Sequence, residues 1–207
     1  EQSLINDSML GLVLLKDEES SEVSPEELYT VGTAAKIVKK INLPDGGMNI
    51  FISTIKRFRI KHYISEIQPL TAEVDFMNDE AEKTMEVKAL TRSIISEMKQ
   101  VSENNPLFSE EMRLNMVNID QPGKIADFIA SILNIDRTEQ QKILETLNVR
   151  KRMEQVLVFI KKEQELLRIQ KKIQLQINEK IEKNQRDYFL REELKAIKKE
   201  LGMPVDS

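Results

Sequence analysis

The 207-residue chain has no cysteine, no tryptophan and one histidine, and only 5% of it is aromatic. Without cysteine there can be no disulfide, no thiolate zinc site and no thiol nucleophile. The lone His62 cannot build a histidine-rich metal site, and an ordinary structural role is expected of it. With so few rings, any core must be made of Ile, Leu, Val and Met. No apolar run approaches the roughly 18 residues of a membrane span, and no secretory leader is visible. The net charge of −4 argues against a general polyanion binder. Phosphate-loop chemistry is missing as well. Gly123-Lys124 is followed by Ile125 and has no upstream glycine at the right spacing, and Gly46-Gly47 reads as a turn. No serine stands in a nucleophile motif. The acid pairs Glu26/Glu27 and Glu192/Glu193 read as solvated faces rather than catalytic dyads. No catalytic, cofactor-binding or metal-ligating residue is therefore assigned. The chain opens on Glu1 rather than Met, as expected of a trimmed chain.

What is present is charge (32%) and enough apolar residues (40%) for one large or two small domains. Up to about residue 77 the pattern is short-period. GLVLL (11–15) is a short apolar run, TVGTAAKIVKKI (30–41) and MNIFISTI (48–55) are β-rich, and RFRIKHYI (57–64) and TAEVDF (71–76) read as two more strands. Asp45-Gly46 between the second and third is a hairpin signal, because glycine adopts positive φ without steric cost. DEESSEVSPEEL (17–28) reads as a surface loop or a helical turn starting near Ser24-Pro25. On a strand, Arg57, Arg59, Lys61 and Tyr63 share one face and Phe58 and Ile60 the other. A phosphate-contacting face is the functional reading of that stretch, and an amphipathic strand with a wet side is the ordinary one.

From Asp79 the period becomes helical: Val87, Leu90, Ile94, Met98 and Val101 recur at three or four residues, and ENNP (103–106) stops that helix. Asp120-Gln121-Pro122 starts another, with Ile125, Phe128, Ile129, Ile132 and Leu133 inward. Asp136 with Glu139 predicts a capping box for the next. Asn148 caps a last helix running from about 149 to 201, ended by Gly202 and Pro204. Met153, Val156, Leu157, Ile160 and Leu167 can pack on the preceding helices. Beyond them, Ile173, Leu175, Ile177 and Ile181 form only a thin stripe, as on a protruding arm. Leu190, Leu194, Ile197 and Leu201 then define a new seam, rotated about 180° from Ile181 at about 100° per residue. Tyr188, Phe189 and Leu190 sit where the helix changes faces. These six residues (Tyr188, Phe189, Leu190, Leu194, Ile197 and Leu201) are the candidate partner or substrate contacts. Met77, Met85, Met98, Met112 and Met116 could form an adaptable binding surface, although methionine at helical spacing is more often core.

QRDYFLREELKAIKKELG (185–202) resembles the segment that ends the N-terminal region of Lon proteases, just before their ATPase module. VGTAAKIVKKINLPDGG (31–47) is similar to that family's β hairpin, and IADFIASILNIDRTEQQKILETLNVRKRMEQVL (125–157) to its helical region. The resemblance runs in the right order over most of the chain. It implies an α+β fold in three parts: a small PUA-like antiparallel β domain (1–77), a helical bundle (78–148) and a long coiled helical arm (149–207). It also implies the substrate-recognition and hexamer-assembly region of a cytoplasmic, ATP-dependent serine protease that degrades damaged, unfolded and some regulatory proteins. ATP and Mg would be bound, and a Ser–Lys dyad carried, by later domains, so no catalytic residue is transferred to this sequence. The implied partners are unfolded proteins and further copies of the chain in a homohexamer, with weak DNA binding at most and no membrane. The family usually has an earlier strand with a Leu-Pro-Leu-Arg-like start and a helix after it. This chain opens beyond them, so the sheet is expected to lack its first strand. The alternative is a standalone PUA-like adaptor for nucleic acid or a partner protein.

Overall fold

The loop at Asp45-Gly46 folds as its residues dictate. In the computed structural model, which describes residues 9–17, 23–80, 84–103 and 108–204, Gly46 takes φ 84°. The Leu43 amide donates to the Gly47 carbonyl at 2.8 Å, and the Gly47 amide to Asp45 Oδ1 at 2.9 Å. This loop joins β2 (Val31–Asn42) to β3 (Met48–Ser65). With β1 (Met9–Leu12) and β4 (Thr71–Phe76) they form one sheet in the order β1-β2-β3-β4, every neighbouring pair antiparallel. A 3₁₀ turn, Pro25–Glu27, follows Ser24 as the Ser-Pro pair suggests, and the Glu27 carboxylate reaches back to the Ser24 amide at 2.9 Å.

One expectation for the sheet is corrected. MNIFISTI and RFRIKHYI are not two strands but one, because neither Gly, Pro nor Asn interrupts Ile55–Arg57, and the strand passes that point with a register shift, Lys56 facing Ala34 and Thr54 facing Ala35. Of the apolar run 11–15, Gly11 and Leu12 lie in β1, and Leu15 makes an isolated bridge to Leu28. Gly32 is where the sheet tolerates no side chain. A Cβ there would lie 2.4 Å from the Leu12 carbonyl oxygen and 2.8 Å from the buried Phe58 ring.

The helices are α1 (Met85–Glu103), α2 (Glu110–Val117), α3 (Pro122–Ile132), α4 (Arg137–Glu145) and α5 (Val149–Glu200). The inward stripes are those the periodicity marks. Val87, Ile94, Met98 and Val101 of α1, Ile125 and Ile129 of α3, and Met153, Val156 and Ile160 of α5 share one core. Leu90, Phe128, Ile132, Leu157 and Leu167 pack against it partly buried. Helix α2 was not expected. Ser109 caps it by accepting from the Met112 amide, but its apolar residues do not gather on one face, with Met116 buried and Leu114 exposed, so periodicity gives no signal. Asp136 caps α4, accepting from the Thr138 amide at 2.8 Å. The reciprocal half of the expected box is not made: the Glu139 carboxylate takes Lys142 instead. Asn148 caps α5 through the Lys151 amide, and Gly202 at φ 66° ends it. With 52 residues, α5 is about 78 Å long at about 1.5 Å per residue. A four-stranded antiparallel sheet followed by helices, the last very long, is the expected α+β class. Residues 104–107, which include most of the expected stop of α1, and residues 18–22 of the acidic stretch lie outside the described residues.

Candidate functional site

One position on the inward stripe of α5 is not apolar. Val149, Met153, Val156 and Ile160 are buried, and Arg152 is buried among them with no exposed surface. A guanidinium there must be paired, because an uncompensated buried charge is costly. Its Nε donates to the Thr146 carbonyl at 2.8 Å. Its Nη2 donates to Asp79 Oδ1 at 2.5 Å, and its Nη1 to both Asp127 oxygens at 3.2 Å. Asp79 lies in the linker after β4 and Asp127 on α3. A second guanidinium comes from β3: Arg57 donates from Nε to the Leu144 carbonyl at 2.8 Å and from Nη2 to Asp127 Oδ1 at 2.5 Å. Gly123 completes the cluster, since a Cβ at that position would sit 2.5 Å from Asp79 Oδ2. Two cations and two carboxylates thus meet where the sheet joins the helices.

This withdraws Arg57 from the basic face read into strand 57–63, while Arg59 and Lys61 stay exposed, as on an amphipathic strand with a wet side. The Arg57 side chain is 12% exposed and engaged with Asp79 and Asp127. The alternation also breaks at a register shift between Ile60 and His62. Lys61 faces Asp75 at 2.9 Å and Glu73 at 3.1 Å, and those two carboxylates hold its ammonium above the ordinary lysine range. His62 is exposed beside Glu73, 3.7 Å away. Among the described residues, no cluster of His, Cys, Asp or Glu is suited to hold a metal.

Beside the charge cluster a cleft of about 990 Å³ opens between the sheet and helices α3 and α4. Leu12, Val13, Ile55 and Met77 form its apolar wall, and Lys56, Arg57, Lys124, Asp127, Arg137 and Gln140 its polar one. Further out, the β2–β3 hairpin leaves the body as a two-stranded ribbon. Among the described residues, β1 pairs with β2 over Thr33–Lys36 and β4 with β3 from Phe58 onward, and no strand pairs with the distal part of the ribbon. Val38, Ile41, Met48, Ile50, Phe51, Ile52 and Ile55 are exposed on it, with Lys36, Lys39, Lys40 and Lys56 interspersed. An isolated two-stranded hairpin is marginal in water, and large apolar side chains exposed along such a ribbon make it a candidate contact surface.

The six residues singled out in sequence lie far along α5. Tyr188, Phe189, Leu190, Leu194, Ile197 and Leu201 are between 52% and 69% exposed. Leu190, Leu194, Ile197 and Leu201 fall on one stripe, with Phe189 beside it. Tyr188 stands edge-on to Phe189 at 6.0 Å and points to the other side of the helix. None of them lines the cleft. The five methionines do not form one surface: Met98 and Met116 are core, Met85 is exposed, and Met77 borders the cleft.

Residues 2–162 match the family model of the ATP-dependent protease La (LON) substrate-binding domain. The chain belongs to that family. It is 59% identical over 208 residues to a Lon protease of Treponema pallidum, and 47% identical over 208 residues to a Lon protease of Leptospira interrogans. In both cases all of this chain is covered, and it spans 23% and 25% of the relative's length. A solved N-terminal domain of a Mycobacterium avium complex Lon protease superposes with TM-score 0.54 at 19% identity, covering 73% of this chain and 90% of that one. That likeness concerns the fold. In a Lon substrate-binding domain the absence of a phosphate loop or nucleophile motif is no puzzle, because binding is what the family's description assigns to it.

Sequence reading missed the charge cluster, the cleft and the extent of the bare ribbon. Arg152 did leave a trace, since it falls at the helical spacing of Val149, Met153, Val156 and Ile160. Asp79 and Asp127 left none, because their partners lie 73 and 25 residues away.

Proposed function

We propose that this chain is the substrate-engaging and assembly region of an ATP-dependent, Lon-type serine protease of the cytoplasm, acting by binding rather than by chemistry. The observation that carries this reading is the family match over residues 2–162. The bare apolar ribbon and the bare end of α5 are surfaces on which such binding can occur. The three-part division at 77 and 148, the homohexamer, and ATP with Mg in domains outside this sequence belong to the same proposal. Unfolded and damaged proteins are the substrates, held through exposed apolar side chains, while α5 links capture to a motor. The seam Leu190, Leu194, Ile197 and Leu201, with Tyr188 and Phe189, docks on another subunit or on a following domain. Burial there would yield about 1.5–3 kcal/mol for each large apolar side chain. Two observations speak against the standalone adaptor: the family match and the identity with Lon proteases over the whole chain. Among the described residues, no helix is long and apolar enough to cross a membrane. DNA binding is at most weak near physiological salt, because Arg57 is spent on internal ion pairs and the net charge is −4.

The test is photo-crosslinking from position 51 on the ribbon and position 189 on the arm to a reduced, carboxymethylated globular protein, with its native form as control. Adducts to the unfolded form at either position are expected. Their absence at both, at high concentration, would refute the capture role. Leu194→Glu with Ile197→Glu in the full-length protein is expected to weaken hexamer assembly, read by sedimentation. Unchanged assembly and activity would remove the docking role of the arm end.

A further inference from the structure

The buried apolar core of the helices contains no sheet residue: it is drawn from Val87 to Ile160. The sheet's own buried residues, Val31, Ala34, Ala35 and Phe58, lie outside it. Among the described residues, therefore, a common hydrophobic core is not what fixes the sheet against the helices. What crosses the junction is directional. Arg57 reaches from β3 to α3 and the end of α4. Gln141 of α4 donates to the Val31 carbonyl at 3.0 Å. The Glu80 backbone bridges to Leu147 and Val149 at the base of α5. Arg152 of α5 closes the circuit through Asp79 and Asp127, beside the cleft between sheet and helices.

Hydrophobic contact is non-directional, whereas a guanidinium fork on carboxylates and carbonyls holds only over a narrow range of angles. Buried ion pairs, in turn, add little net stability, because desolvation offsets their attraction. We propose that Arg57 is a positioning residue. Acting through Asp127 and Arg152, it locks the sheet, and with it the bare ribbon, at one angle to the long helix, and it contributes orientation rather than fold stability. Apolar burial sets how stable the two layers are; this circuit sets how they stand. The inference concerns the angle between ribbon and arm and does not depend on what either surface binds.

The lack of cysteine makes the test direct. Nitroxide labels are placed on Ser53→Cys of the ribbon and Val158→Cys of α5, both exposed positions, in this 207-residue chain. Double electron–electron resonance then reads their separation. The parent is expected to give one narrow distance. Arg57→Gln, and the charge-balanced pair Arg57→Gln with Asp127→Asn, are expected to broaden it or add a second population, with helical circular dichroism kept in both and the melting temperature of the charge-balanced pair close to the parent. Arg57→Lys is expected to behave like Arg57→Gln, because one ammonium cannot serve Leu144 and Asp127 in the fork geometry. Three outcomes would overturn the proposal: an unchanged narrow distance in both variants, restoration by lysine, or unfolding of both variants. Unfolding would make the circuit a stability element instead. Unfolded-protein crosslinking that fails while the distances broaden would sink the capture reading and leave this one standing.

Discussion

Two perturbations on the same helix separate the part of α5 that belongs to the core from the part that does not. Ile160 is fully buried, whereas Leu194 and Ile197 are 53% and 56% exposed. Ile160→Ala removes buried methyl and methylene groups and leaves a cavity, a change that costs about 2–5 kcal/mol. In a chain of this size, about 2–4 °C of melting temperature goes with each kcal/mol, so a loss of roughly 4–20 °C is expected. Leu194→Gln with Ile197→Gln removes no core contact. Leucine and glutamine differ little in helix propensity, and exposed substitutions stay within about 0.5 kcal/mol each. The expected shift for the pair is therefore below about 4 °C. Glutamine is preferable to glutamate here. Position 197 lies in the last turn before Glu200, and a carboxylate there would oppose the helix dipole by about 0.3–1 kcal/mol. The assay is thermal unfolding at several protein concentrations, because self-association through the seam would make the melting temperature concentration-dependent. If the glutamine pair costs as much as Ile160→Ala in dilute, monomeric protein, the arm packs on the body and the argument fails.

Three further outcomes are expected. Gly32→Ala should destabilise by about 1–3 kcal/mol in urea unfolding, because its Cβ would meet the Leu12 backbone and the Phe58 ring and force β1 and β2 apart. Asn148→Ala should cost about 1 kcal/mol by removing the acceptor for the Lys151 amide, and Asn148→Asp should be tolerated. Glu97 ties α1 to α5, and the hydrogen bond from Lys161, followed by that from Gln164, holds its carboxyl below the usual carboxylate range. Its stabilising contribution is present above the unfolded value near 4.5 and is lost as pH falls through the lower folded value. Glu97→Gln should flatten that part of the stability–pH curve, and an unchanged curve would count against the pairing.

The local rules were legible without the fold. Asp45-Gly46 determined the hairpin, Asn148 and Gly202 the limits of the long helix, and the spacing of Ile94, Met98, Ile125, Ile129, Met153 and Ile160 the inward faces, because each depends on residues within one or two turns of chain. The family, too, was readable in 31–47, 125–157 and 185–202, since its motifs are contiguous. Tertiary structure alone decided the rest. That β3 is one strand whose distal half, among the described residues, has no partner on its β4 side depends on where β4 stops, and β4 stops at residues far from Met48 in sequence. The fate of Arg57 depended on Asp127, 70 residues away, and that of Arg152 on Asp79, 73 residues away. A charged residue in a sequence declares only that it must be solvated or paired. Which of the two it becomes is settled when folding excludes water from one particular junction and places an opposite charge there.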